Sequence, residues 1–133
     1  MGAGAIPLHV EKEFFEKAKG KYKINVYLAD MTYDGDDRID VSAQGGYFVF
    51  APPKHLLFDY RFGNITKSQF KEAYFKLLWE SYINHRDTWE GILGRKRIVL
   101  VCTCNSKGKE CHRYSVVDFL KELGGVYKGK LKS

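Results

Sequence analysis

The run from Arg97 to Cys102, RIVLVC, constrains the fold of this chain more than any other feature. It is rich in β-branched residues and almost wholly apolar, whereas a strand with one face in water alternates apolar and polar residues. We therefore predict that residues 97–102 form a central strand of a sheet that is covered on both faces.

Helices are predicted on both sides of this strand in the sequence. Thr66 and Gln69 form a capping box, in which each side chain satisfies a free backbone donor of the other residue. Apolar residues recur at helical spacing behind it and predict the longest helix of the chain. Asp87 and Glu90 repeat the capping pattern before a shorter helix closed by Gly94. The last helix is predicted at 111–123, with Gly124 as its C-cap.

The first half of the chain mixes short strands and helices. Alternating residues predict a strand at 22–29. Two strands, Arg38 to Ser42 and Tyr47 to Ala51, are predicted to form a hairpin around Gly45 and Gly46. Short helices are expected at the remaining positions, namely 9–19, ended by Gly20, and His55 to Arg61, ended by Gly63.

These elements predict one domain over residues 1–133, since there is no internal repeat or linker. Residues 1–21 would be an N-terminal helical extension and residues 126–133 a basic tail. Strands that alternate with helices indicate an α/β fold, here a three-layer domain with a small mixed sheet flanked by helices.

The net charge of +6 and the sequence pI near 9.2 are carried mainly by basic groups at 95–97, 107–113 and 128–132. The positive electrostatic field of these groups favours phosphate-bearing partners, although a solvated surface with a basic tail is also consistent with the charge. The longest apolar runs are far too short to span a membrane, and no secretion signal is recognised. We therefore expect a cytoplasmic protein that has no contact with membranes.

The three cysteines lie within residues 102–111, an odd count and a close spacing that are not typical of a disulfide framework. In open α/β sheets, ligands bind beyond the carboxyl ends of the strands, where loops enter helix N-termini. Cys111, His112 and Arg113 occupy the first turn of the last predicted helix, where free N–H groups and the helix dipole favour negative charge.

Three interpretations of this cluster stay open. The first is a thiolate nucleophile, with Cys111 best placed and Cys104 second, because a helix N-terminus beside His and Arg lowers a thiol pKa. The second is a zinc site, for which the spacing C-x-C-x6-C-H is unusual. The third is inert thiols that fill space under a loop. A cysteine-phosphatase loop is excluded, because Glu110 stands where its arginine is required. No metal or cofactor is assigned.

The chain also resembles a phage-borne branch of the DUF488 family of uncharacterised proteins. The resemblance covers about two-thirds of the chain and rests on the segment after Arg38, the helical stretch from Tyr74 to Trp89, and the strand, loop and Cys-His-Arg turn that follow. It implies a Rossmann-like α/β domain without an established reaction. Where the family usually has Gly-Glu, this chain has Gly129 and Lys130. Positions that match the family's polar motif are Arg38, Asp40, Cys104, Cys111, His112 and Arg113.

From the residues and the resemblance together we expect a small enzyme that acts on a nucleotide or another phosphate-bearing small molecule. Cys111 or Cys104 would be the reactive thiol, His112 a proton shuttle, and Arg113 an anion clamp. Arg38 and Asp40 share a strand face and would project towards the same pocket. The alternative is a non-catalytic phage or mobile-element protein that binds nucleic acid or a host protein. The sequence makes no prediction about oligomeric state.

Overall fold

The computed structural model describes residues 16–43, 46–102 and 111–131 of the 133-residue chain. Within these ranges the strands form one sheet in the order β2-β3-β1-β4, and every pairing is parallel. The α/β fold class is therefore confirmed. The strands are β1 (Asn25–Leu28), β2 (Arg38–Asp40), β3 (Arg97–Val101) and β4 (Val126–Lys130).

The apolar run at residues 97–102 lies at the centre of the sheet, as predicted. β3 pairs with β1 on one side and with β2 on the other. Its residues after Arg97 are buried, because helices cover one face of the strand and a smaller apolar cluster covers the other. The strand predicted at 22–29 is also confirmed, with the shorter bounds Asn25–Leu28.

Four helices with defined bounds connect or flank these strands: α1 (Lys54–Arg61), α2 (Lys67–Asn84), α3 (Arg86–Leu93) and α4 (Arg113–Glu122). Residues 16–18 are also helical. The predicted capping box is present, since the Thr66 hydroxyl accepts from the Gln69 N–H and the Gln69 side chain accepts from the Thr66 N–H. Gly63 and Gly124 follow α1 and α4 with positive φ, which ends each helix.

The core lies on one face of the sheet. Val26, Leu28, Ile98 and Leu100 project from β1 and β3 into a large cluster with the apolar sides of the helices. On the opposite face a smaller cluster holds Ala29, Val99 and Val101, with partly buried Tyr27, Met31, Tyr33 and Leu131 packed against it. Among the described residues, every helix is too short or too polar to cross a membrane.

Both edges of the sheet are irregular. β2 has three residues. The pairing of β4 with β1 shifts register between Val26 and Tyr27, and Gly129, at φ +112°, lies at the shift. Lys128 and Lys130 flank this glycine and are exposed.

The predicted hairpin is wrong, and with it the mixed sheet. β2 hydrogen-bonds to β3 in parallel, and residues 47–50 form turns in which the Phe50 N–H donates to the Tyr47 carbonyl. The Tyr47 N–H still donates to the Asp40 carbonyl, so the chain does reverse here, but no second strand follows. Gly45, the predicted turn residue, lies outside the described residues, as do residues 1–15 of the predicted N-terminal extension and residues 132–133 of the tail.

The capping pattern at Asp87 and Glu90 is also wrong as a helix start. α3 begins at Arg86, with His85 as the residue that both ends α2 and caps α3. The Glu90 carboxylate instead accepts from Arg86 and Lys21. Gly94 closes the helix as predicted.

Candidate functional site at the carboxyl edge of the sheet

His112 stands where the carboxyl ends of β2 and β3 meet the start of α4. Its side chain is buried, with 2% of the residue exposed. The Nε2 atom lies 2.6 Å from the Val41 carbonyl oxygen, so Nε2 carries the proton and donates it. The edge of the ring contacts Tyr74, whose hydroxyl in turn donates to the Phe50 carbonyl.

This environment keeps the imidazole neutral. The pKa of His112 is lowered to about 4. Burial is the main cause, and the positive charges of Arg61 and Arg113 act in the same direction, whereas the Val41 hydrogen bond and the Asp40 charge oppose the shift. A neutral, buried histidine with a fixed Nε2–H orients neighbouring groups well. The structure therefore shows His112 as a fixed hydrogen-bond donor, whereas the sequence analysis expected a proton shuttle.

Cys102 follows the last residue of β3 and is a free thiol. Its Sγ lies 3.6 Å from Nε2 and 3.8 Å from Nδ1 of His112. Burial raises the pKa of this thiol, and the hydrogen bond from Ser42 and the charge of Arg113 offset only part of that effect. Cys102 is consequently protonated at neutral pH and is not an activated nucleophile.

The positive charges of two arginines influence the pKa values of Cys102 and His112. Arg113, in the first turn of α4, donates from Nη1 to the Ala29 carbonyl at 2.6 Å, directly beyond β1. Arg61 is the last residue of α1, and its charge acts on both Cys102 and His112. In each guanidinium the Nε atom is buried and has no hydrogen-bond partner among the described residues. The sheet edge therefore carries two cations with unused donors.

Asp40 joins this group and Arg38 does not. The Asp40 carboxylate accepts the Ser42 N–H at 2.9 Å, and its charge acts on Cys102 and His112. Arg38 instead points to Met31, donating to its carbonyl oxygen and contacting its sulfur at 3.3 Å. The strand register explains the difference. Asp40 pairs with Val101 at the carboxyl end of β3, whereas Arg38 pairs with Val99 and so lies further from the carboxyl edge of the sheet.

Cys104 lies outside the described residues, so its predicted role stays a prediction. Cys111 is disulfide-bonded, so it is not the free thiolate that the sequence analysis expected. The odd cysteine count gave no indication of this bond. Even so, the sulfurs of Cys102 and Cys111 and a ring nitrogen of His112 all lie within 4.8 Å of one another.

Sequence reasoning missed two members of the site and included a third only in one interpretation. Arg61 ends a helix that was predicted correctly, but nothing in the sequence connects that helix to the carboxyl edge. Cys102 was the end of a predicted strand and was grouped with His112 only in the zinc interpretation. The Val41 carbonyl is a backbone group, so its hydrogen bond with His112 cannot be predicted from the residue type at position 41.

Comparison of the chain with protein-family models, with curated proteins and with solved structures finds no match. The resemblance to the DUF488 family therefore stays a prediction.

Proposed function

We propose that this chain binds a small phosphate-bearing molecule, such as a nucleotide, at the carboxyl edge of its sheet, and acts on it there. The observation that carries the proposal is the pair Arg61 and Arg113. Each has a buried Nε that no other described residue hydrogen-bonds, and the charges of both arginines act on His112. This supports the expected anion clamp and adds Arg61 to it.

The physical reason is the cost of buried donors. A buried N–H without a partner costs about 1–3 kcal/mol, more when the group is charged. Phosphate oxygens would satisfy these donors, and the planar guanidinium suits them because it donates two parallel hydrogen bonds. The carboxyl end of a parallel sheet is also where α/β domains place such ligands.

For the chemical step, the described residues offer Asp40 as proton acceptor. His112 donates its single N–H to the Val41 carbonyl, so it can only accept a hydrogen bond, through Nδ1. Asp40 is the carboxylate whose charge acts on the buried pair, and it lies at the end of β2 beside Ser42. A thiolate role for Cys111 requires reduction of its disulfide first. A role for Cys104 lies outside the described residues.

The described residues give the alternative, a nucleic-acid-binding protein, less support: Arg95 and Lys96 are exposed, but their neighbour is engaged within the fold. Arg97, one of the cations expected on such a face, is bound to Asp37 and packs over the Tyr27 ring at 4.7 Å. Lys107 and Lys109 lie outside the described residues.

Binding to pyrophosphate and to a nucleoside diphosphate, measured by isothermal titration calorimetry, tests the proposal. We expect saturable binding to the wild-type chain. Arg61→Gln should weaken it at least about tenfold, because it removes a charged donor worth roughly 1.5–3 kcal/mol. The Arg61 side chain makes no hydrogen bond with the described residues, so this change should leave the fold intact.

Arg95→Gln is the matched control, since Arg95 is exposed at the opposite end of β3. Equal losses in both variants would show that the ligands respond only to net charge. That result, or the absence of saturable binding to wild type, would contradict the proposal. All measurements use chelator-treated protein, so that metal cannot contribute.

A further inference from the structure

The thiols and imidazole of the site have a second property, which the anion site does not use. Cys102 comes from the end of β3, and Cys111 and His112 come from the residues just before α4. One ligand atom from each lies within 4.8 Å of the other two. We infer that, once Cys111 is reduced, these three side chains bind Zn²⁺.

The distances fit a tetrahedral ion. Zinc binds thiolate sulfur at about 2.3 Å and imidazole nitrogen at about 2.0–2.1 Å, so a sulfur and a nitrogen on one tetrahedral zinc lie roughly 3.6 Å apart. The Sγ of Cys102 lies 3.8 Å from Nδ1 of His112, slightly more than this separation. No large movement of either side chain is needed to admit the ion.

The orientation of His112 fits as well. Its Nε2–H donates to the Val41 carbonyl, which fixes the tautomer and directs the Nδ1 lone pair as the ligand. Zinc-binding histidines usually donate their other ring N–H to a carbonyl or carboxylate in this way. Val41 is fully buried, so the carbonyl that orients the ring is itself held by the sheet.

The ligand types select the metal. Two thiolates and an imidazole suit zinc, whereas magnesium and calcium require oxygen ligands. The two thiolates balance the charge of the ion, so the nearby Arg61 and Arg113 oppose its binding little. Three ligands from the described residues leave a fourth coordination position beyond this set.

The disulfide of Cys111 makes binding depend on redox state. A dithiol reductant supplies two electrons and two protons, the S–S bond breaks into two thiols, and the reductant closes into its own disulfide. Binding of Zn²⁺ then releases the thiol protons of Cys102 and Cys111 to solvent. Re-formation of the disulfide withdraws the Cys111 ligand.

The test uses the full chain, reduced with a dithiol and desalted without air, then titrated with Zn²⁺ or Co²⁺ alone. We expect one equivalent of metal per chain. Cobalt should show the intense visible bands of a tetrahedral ion and thiolate-to-cobalt charge transfer. The same chain with its disulfide intact should bind at least about a hundredfold more weakly, since it lacks one ligand.

Cys102→Ser and His112→Gln should weaken binding by a similar factor, and His55→Gln, at an exposed helical position, should not. The oxidised wild type needs no substitution, so a variant that fails to fold does not decide the result. Equal metal binding by reduced and oxidised chains, or a reduced chain that takes up no cobalt, would overturn the inference. Phosphate binding by the chelator-treated chain is measured separately, so failure of one site leaves the other testable.

Discussion

Gly124 shows how one residue joins two parts of the chain. Its φ is +108°, and a Cβ added there would lie 2.1 Å from the Tyr22 carbonyl oxygen. The neighbouring backbone hydrogen bonds, from Gly20 to Glu122 and from Tyr22 to Leu123, hold the segment before β1 against the end of α4. Glycine is required here for both its conformation and its size.

Gly124→Ala should therefore lower the free energy of unfolding by about 2–5 kcal/mol. Roughly 1–2 kcal/mol comes from the left-handed conformation and the rest from the clash with backbone that cannot move aside. Urea unfolding of the reduced chain measures this loss.

Gly63→Ala is the control, because Gly63 has φ +77° and open space around its Cβ position. It should cost only the conformational part. Equal losses at the two positions would show that the contact with Tyr22 contributes nothing.

At the scale of the element, local chemistry sets where helices begin. The reciprocal hydrogen bonds between Thr66 and Gln69 start α2 and leave two fewer free donors in its first turn. Both partners are exposed, so the contribution is nearly independent of the core.

Thr66→Ala should destabilise the chain by about 1 kcal/mol, the usual value of a lost N-cap. The midpoint of urea unfolding reports it. Ser68→Ala, one position from Gln69 and outside the box, should change stability by less than about 0.5 kcal/mol. A Thr66→Ala midpoint equal to that of Ser68→Ala would contradict the assigned cap.

Elements that depend on local pattern were predictable, and those that depend on distant partners were not. RIVLVC and the Thr66 box carry their signal within a few residues. The partner of β2 is β3, about sixty residues further on, and no short-range pattern distinguishes that parallel pairing from a hairpin with residues 47–51. Asp87 matches a cap by spacing, but α2 runs on to His85 and leaves no room for a separate start.

At the scale of the whole molecule, one aromatic core lies between the helices and the sheet. Trp89 packs edge to face against both Tyr82 and Phe119. Tyr82 also exchanges a hydrogen bond with the Tyr22 hydroxyl at 2.7 Å, which links this core to the segment before β1.

Alkaline pH should unfold the chain through this core. Burial, followed by the Tyr22 hydrogen bond, raises the pKa of Tyr82 from 10.0 to about 12. Because the pKa of Tyr82 is higher in the folded than in the unfolded chain, Tyr82 ionises first in the unfolded chain. Its contribution to the free energy of unfolding is therefore complete below pH 10 and is lost as the pH rises through about 12. Urea midpoints measured across this window should fall.

Tyr82→Phe should make that fall shallower, whereas Tyr47→Phe, at an exposed position, should not. Some dependence will remain, since burial raises the pKa of Tyr74 as well. A slope identical to that of wild type in Tyr82→Phe would contradict the assignment.

The sequence predicted which edge of the sheet carries the candidate site, but only some of the residues that form it. The rule that ligands bind beyond parallel strands pointed to the carboxyl edge of the sheet, and Asp40, His112 and Arg113 lie there in the structure. Arg61 and the Cys102–His112 contact depend on how α1 and β3 pack in three dimensions. The state of Cys111 depends on a covalent bond that spacing does not reveal.

The two irregular edges have a consequence for the chain in a crowded cell. An exposed, regular edge strand can recruit a strand from another copy, and repetition of that step builds fibres. Here one edge offers only three residues, and the other is broken at Gly129 between two exposed lysines. A second copy would find neither a continuous row of hydrogen-bonding groups nor a neutral surface, which protects this small sheet from aggregation.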